Sequence, residues 1–259
     1  MILVQTLVKD LFNMKKKIFF SGFLLMIMFC GCMTQNEITS SIAKLETIEK
    51  SVNDTLFLQN PQVFCLETKD NALIKRINRI IEWKNTYYIL DKSMKQVLAF
   101  NDKGKHLFTI HRVGGGKGEY GSILDIAIDR QNENLVFLAD PTSLIYYDLQ
   151  GNFIRTTKLP GHYHSIAIDN GMIYLENATL INNQLSTSSI TVIAPNDQKT
   201  ELLKPLREIA PYCFIGGHQL GGTAPVVFTR KFDDTIYQLE DGKISPYYSF
   251  NFMNESFPE

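Results

Sequence analysis

Short apolar runs separated by polar turns recur from about residue 79 onwards, and the clearest stretch is residues 87–121, YYILDKSMKQVLAFNDKGKHLFTIHRVGGGKGEYG. The runs are too brief for helices and rich in Ile, Val, Leu, Phe and Tyr, so they predict strands. A first set falls at 80–83, 87–90, 97–100 and 107–110, with turns at Lys84-Asn85 and Asp102-Lys103-Gly104. A second falls at 125–129, 135–138, 144–147 and 153–159, and a third at 165–169, 172–175, 190–193 and 200–203. The fourth is weaker, at 226–228, 235–239 and 247–252. Asn170-Gly171 is the strongest hairpin signal among them.

The spacing carries the fold. Gly104 and Gly151 lie 47 residues apart, and Gly151 and Gly242 lie 91 apart, close to two further steps. Asp125-Ile126-Ala127-Ile128-Asp129 is echoed by Ser165-Ile166-Ala167-Ile168-Asp169. Four strands per step at this period is the signature of a propeller blade. An evenly turned sandwich is the alternative, but it would not need the same turn residue after every third strand. The fold class is therefore all-β, a β-propeller of four-stranded antiparallel blades, with about four blades present.

The N-terminal part has a different logic. Met14-Lys15-Lys16-Lys17 is a positive n-region and 18–29 a short apolar run, so residues 1–31 read as a signal peptide. A membrane-spanning helix would need about 20 apolar residues. Residues 1–13 serve no export purpose, and Met14 is read as the true start. Gly31-Cys32 resembles the end of a bacterial lipobox, with Phe29 and Cys30 departing from its usual residues. Cys32 is the expected lipidation site, which would anchor the chain in the cell envelope at a membrane, the outer one being the expected choice. Residues 32–53 are polar and read as a tether, in which Ile38, Ile42, Leu45 and Ile48 would line one face of a short helix. Residues 54–66 read as a strand pair broken at Pro61, opening a propeller that runs over 54–259. Cys65 and Cys213 then remain, and both read as small buried hydrophobes.

The formal net charge of −1 gives no electrostatic reason to expect nucleic acid, and the lipid is the only membrane contact implied. No Ser/His/Asp triad, HExxH or Cys/His metal spacing is present, and no cofactor is expected. His162 and His164 lie on one side of an extended strand and could bind metal. They read first as loop histidines between blades. Asp125, Asp129 and Asp169 lie on inner strands, where carboxylates could hold a cation or act as acid and base. Asp129 and Asp169 read as turn-starting residues, leaving Asp125 as the candidate of interest. Gly114-Gly115-Gly116-Lys117-Gly118 lacks the Gly-Lys-Ser/Thr ending of a phosphate loop. It reads as a blade-to-blade crossover in which Gly114, Gly116 and Gly118 supply positive φ, pinned by Glu119 and Tyr120.

Three segments carry a resemblance: Tyr88-Ile89-Leu90-Asp91 through Val97 to Gly104-Lys105, then the glycine cluster ending Gly118-Glu119-Tyr120, and Phe232-Asp233-Asp234-Thr235-Ile236-Tyr237. These segments, with Phe64-Cys65-Leu66-Glu67-Thr68, resemble the six-bladed β-propeller lipoproteins of Bacteroides-type bacteria, relatives of NHL-repeat proteins. The family usually has Pro where Lys117 stands. The resemblance implies six blades, so the chain reads as C-terminally truncated, with a four-bladed closure as the alternative. Tyr237, Leu239, Tyr248, Phe250 and Phe252 would then lie uncovered on a terminal face, or be covered only by the N-terminal strands. It implies a lipid-anchored module that binds a ligand or an envelope protein. The alternative is a metal-assisted NHL-like lyase or hydrolase using Asp125, His162 and His164.

Overall fold

The computed structural model describes residues 41–44, 63–178, 180–181, 184–185, 188–203, 220–222, 225–230 and 233–251. The architecture is all-β, with four antiparallel sheets arranged as propeller blades. Strand β1 (Ser41–Lys44) comes first in the chain but belongs to the last sheet. Blade A is β2 (Arg79–Trp83), β3 (Thr86–Asp91), β4 (Gln96–Asn101) and β5 (His106–Ile110). Blade B is β6 (Ser122–Asp129), β7 (Asn134–Asp140), β8 (Ser143–Asp148) and β9 (Phe153–Lys158). Blade C is β10 (Tyr163–Asp169), β11 (Met172–Asn177), β14 (Ile190–Ile193) and β15 (Lys199–Leu202), with a small hairpin, β12 (Leu180–Ile181) and β13 (Gln184–Leu185), inserted between its second and third strands. Blade D is β16 (Leu220–Gly221), β17 (Val226–Thr229), β18 (Thr235–Glu240) and β19 (Lys243–Asn251), and β1 adds to its outer edge in parallel.

Two-residue hairpin turns fix the registers. Lys84-Asn85, Asn170-Gly171 and Asp241-Gly242 all take positive φ at both central residues, the geometry whose twist suits a hairpin. In blades A and B the turn from the third to the fourth strand is stapled by a side chain. Asn101 Oδ1 accepts from the amides of Lys103 and Lys105, and Asp148 Oδ1 from those of Gln150 and Asn152. Gly104 and Gly151 then supply φ of +75° and +86°.

Inner strands β2, β6, β10 and β16 neighbour one another in that order around the axis. The hydrophobic cores lie between blades rather than within them. Leu90 and Val97 of blade A meet Ile126 and Phe137 of blade B. Val136 and Tyr146 of blade B meet Ile166 and Leu175 of blade C. Tyr174 and Val192 of blade C meet Phe228 and Leu239 of blade D. The other face of blade A is covered by residues preceding it, with Leu66, Ala72 and Ile74 against Ile89, Leu98 and Phe100.

Several expectations need correction. Residues 63–66 are not a strand, although the Glu67 amide donates to the Gly104 carbonyl at 2.8 Å. Residues 54–62 and Cys213 lie outside the described residues, as do the signal segment and Cys32. Cys65 is exposed rather than buried, because this connecting segment crosses the edge of blade A. Ser41–Lys44 is a strand, not part of a helix, since it finds the open edge of β19. Leu239 is fully buried against blade C, and Tyr237 packs on the same core; Tyr248 and Phe250 are half-buried, and Phe252 lies outside the described residues.

Candidate functional site

Polar side chains gather where the inner strands begin. Asp125 is fully buried on β6, immediately after a bulge at Leu124 that re-aims this end of the strand. It pairs with the guanidinium of Arg79 at the start of β2, and its Oδ2 also accepts the Ile166 amide of β10 at 2.9 Å. Arg79 Nη1 donates in addition to the Ile166 carbonyl at 3.2 Å. One ion pair thus ties the innermost strands of three blades. A buried carboxylate is stabilised by such a partner and a backbone donor, without which its desolvation would be costly.

Around this clamp stand Lys92, His164, Ser165 and Glu176. Lys92 follows β3, held where its amide donates to Asn78 Oδ1 at 2.9 Å. Its ammonium is half-buried, and burial lowers its pKa against the opposing pull of Asp125 and Glu176. Ser165 Oγ donates to Glu176 Oε2 at 2.5 Å, and both residues are buried. His164 sits at a second bulge, between Tyr163 and Ser165. Its ring is open to the mouth but walled by protein, and this desolvation, together with the Lys92 charge, holds its pKa below the usual histidine value.

The other sequence candidates disperse. His162 is exposed in the loop before β10, where its carbonyl accepts the Ala178 amide. Asp129 lies at the far end of β6 and caps its turn, accepting from the amides of Gln131 and Asn132. Asp169 likewise stands at the turn before Asn170. Among the described residues no three His, Cys, Asp or Glu side chains gather closely enough to hold a metal ion.

The crossover from blade A to blade B is built by Glu119 and Tyr120. Glu119 Oε2 accepts the Gly116 amide at 2.8 Å. Tyr120 is fully buried, and its hydroxyl lies within hydrogen-bond reach of the Ile110 and Lys95 carbonyls and the Arg112 amide. Burial pushes its pKa up to about 12. Tyr147 of blade B donates to the Gly118 carbonyl at 2.8 Å. Only Gly118 of the three glycines takes positive φ, at +73°. Gly114 and Gly116 are needed for a different reason, because a Cβ at either would press on the Glu119 carboxylate.

Sequence reasoning singled out Asp125 but not Arg79, Lys92 or Glu176. Arg79 differs from no other surface arginine in the text, and its position as the first residue of an inner strand was the only available signal.

Blades, order and inner-strand clamp define a β-propeller. The chain belongs to the family described as Domain of unknown function (DUF4934), which matches residues 34–259. No curated protein matches it. Among solved structures, it is similar to a protein of Bacteroides fragilis NCTC 9343 named as a candidate exported protein, with TM-score 0.66 and 22% identity over 81% of this chain. The chain spans 59% of that protein's length. It is also similar to a DUF4221 family member from Bacteroides vulgatus, with TM-score 0.50 and 14% identity, covering 75% of this chain and 63% of the other. Virginiamycin B lyase from Staphylococcus aureus matches at TM-score 0.44 and 16% identity over 71% of this chain and 58% of the other, a likeness too slight to bear on activity.

Proposed function

We propose that the protein is an exported, lipid-anchored β-propeller that binds a small ligand or an envelope protein without transforming it, at the face where its inner strands begin. The observation that carries this reading is the engagement of Asp125. The carboxylate best placed for acid–base or cation chemistry is spent on Arg79 and the Ile166 amide, so it holds blades together instead of meeting a substrate. The face around it is made of strand ends and connecting loops on a rigid frame, the usual location of binding residues. The exported character named for the Bacteroides fragilis protein is consistent with the signal segment and with Cys32 as a lipid attachment site.

Two measurements test the reading. Mass spectrometry of the mature N-terminus from the native host should find acylated Cys32; an unmodified Cys32, or cleavage elsewhere, removes the anchor. A panel of envelope oligosaccharides and peptides should yield a ligand recovered unchanged after binding, with binding weakened by Lys92→Gln. Conversion of the ligand, lost on Asp125→Asn in a protein that still folds, would replace this reading with an enzymatic one.

A further inference from the structure

Lys92 is the residue at the mouth with no structural task. Its amide is used, but among the described residues its Nζ has neither a hydrogen bond nor an ion pair. A half-buried ammonium is desolvated at a cost, and a surface lysine ordinarily avoids this by extending into water. Here the charge stays over the mouth, near Arg79, Asp125, Glu176 and His164. Arg79 spends Nη1 on Asp125 and Ile166, and among the described residues its Nε and Nη2 have no hydrogen-bond partner. The two carboxylates offset part of this charge from beneath. Asp125 is fully buried beneath the guanidinium, and Glu176 is buried behind Ser165. Beside them, Lys92 is of intermediate exposure, His164 is exposed, and the Arg79 guanidinium keeps donors not spent on Asp125 and Ile166.

These groups arrive from different directions. Arg79 and Lys92 come from blade A, whereas His164 comes from β10 of blade C, held beside them because Ile166, two residues on, is tied to Arg79 and Asp125. A carboxylate offers two oxygens in one plane and is satisfied by one guanidinium fork. Donors supplied by three separate segments, the start of β2, the residue after β3, and β10, suit the several oxygens of a tetrahedral anion. We propose that this mouth binds a phosphoryl or sulfuryl group of a small ligand, held by Lys92 Nζ, the outer edge of Arg79 and the His164 ring. The inference rests on the reading that this face binds a ligand, and it supplies that ligand's chemical class. Binding should strengthen as His164 gains a proton, a gain that desolvation and the Lys92 charge oppose in the unliganded protein.

The test uses the folded chain, titrated by calorimetry with inorganic sulfate and separately with inorganic phosphate, against sodium chloride of equal ionic strength. Saturable binding of one or both oxyanions is expected, in the millimolar range or tighter. Which of the two binds more tightly separates phosphoryl from sulfuryl recognition. Lys92→Gln should weaken binding about tenfold or more, the scale of a charge-assisted hydrogen bond, while its melting in chloride stays at the wild-type value. Sulfate remains a dianion throughout, so its tighter binding at about pH 5.5 than at about pH 7.5 should vanish in His164→Asn. Equal affinity in wild type and Lys92→Gln, or an effect that chloride reproduces, would overturn the proposal. If oxyanions fail while an uncharged ligand is still captured at this face, the oxyanion site is wrong and the binding reading stands.

Discussion

At the scale of single residues, glycines and one histidine carry the sharpest consequences. Gly118 combines positive φ with a position where an added Cβ would strike the Phe153 ring of blade B. Gly118→Ala should therefore cost about 2 kcal/mol, strain and overpacking together. Gly116→Ala should cost less than half of that. Its backbone is ordinary, and the contact at 3.0 Å is with the far end of Glu119. Urea unfolding of both variants checks the ranking, and equal losses would show that the Glu119 contact is as rigid as the ring. His164 gives a pH signature. Its pKa is lowered in the folded state, so the unfolded chain binds more protons between the usual value of about 6.5 and the folded one. Stability should fall as pH drops through that window and level off below it. The part of the thermal shift due to this residue should be missing from His164→Asn between about pH 8 and 5. A variant with an unchanged pH profile would mean that His164 titrates as it does in water.

At the scale of elements, the turns explain why the repeat was visible and why part of it was not. Each glycine of a third-to-fourth-strand turn lies against whatever precedes its blade. A Cβ added at Gly104 would strike the Cys65 carbonyl, one at Gly151 would come within 2.9 Å of the Phe108 ring, and one at Gly242 would stand 3.8 Å from Met172. A side chain at Gly104 or Gly151 would push on what precedes the blade as well as strain the turn, and at Gly242 the positive φ alone favours glycine, so the residue recurs and the period can be read. The innermost strand of blade D, Leu220–Gly221, was not legible, because two residues, one of them a glycine, carry no alternating pattern. Strand β1 was hidden for a related reason: its text has helical spacing, and only a distant edge on β19 makes it a strand. The site was legible only in Asp125. Its partner Arg79 precedes it by 46 residues, a distance at which no local pattern operates. The clamp they form can be measured. Removing one partner of a buried ion pair typically costs about 3–5 kcal/mol, so Asp125→Ala should be severely destabilising. Arg79→Met combined with Asp125→Ala should lose less than the sum of the two single changes, since neither charge is then left alone. Additive losses in urea unfolding would show that the two residues act independently.

At the scale of the molecule, the placement of the cores decides how the protein unfolds. Three of the described cores are each shared by two successive sheets and the fourth lies between blade A and the segment before it, so no blade buries its apolar faces alone. The Gly242 amide donates to the Tyr174 hydroxyl, and the clamp joins blades A, B and C, so polar ties follow the same neighbour-to-neighbour order. Trp83 is the only tryptophan in the sequence, and it lies in blade A, packed on the core shared with blade B and beneath the Arg130 guanidinium. Its fluorescence therefore reports on one end of the array. Phe228 is fully buried at the other end, between blades C and D. Phe228→Ala should cost about 3–5 kcal/mol through lost contacts and the cavity left behind. If coupling through the shared cores makes the blades one cooperative unit, this remote change should lower the Trp83 fluorescence midpoint and the far-ultraviolet circular dichroism midpoint by the same amount. A Trp83 transition that stays at the wild-type midpoint while the dichroism signal loses an early fraction would show that blade D unfolds separately. The interfaces between blades would then be weaker links than their burial implies.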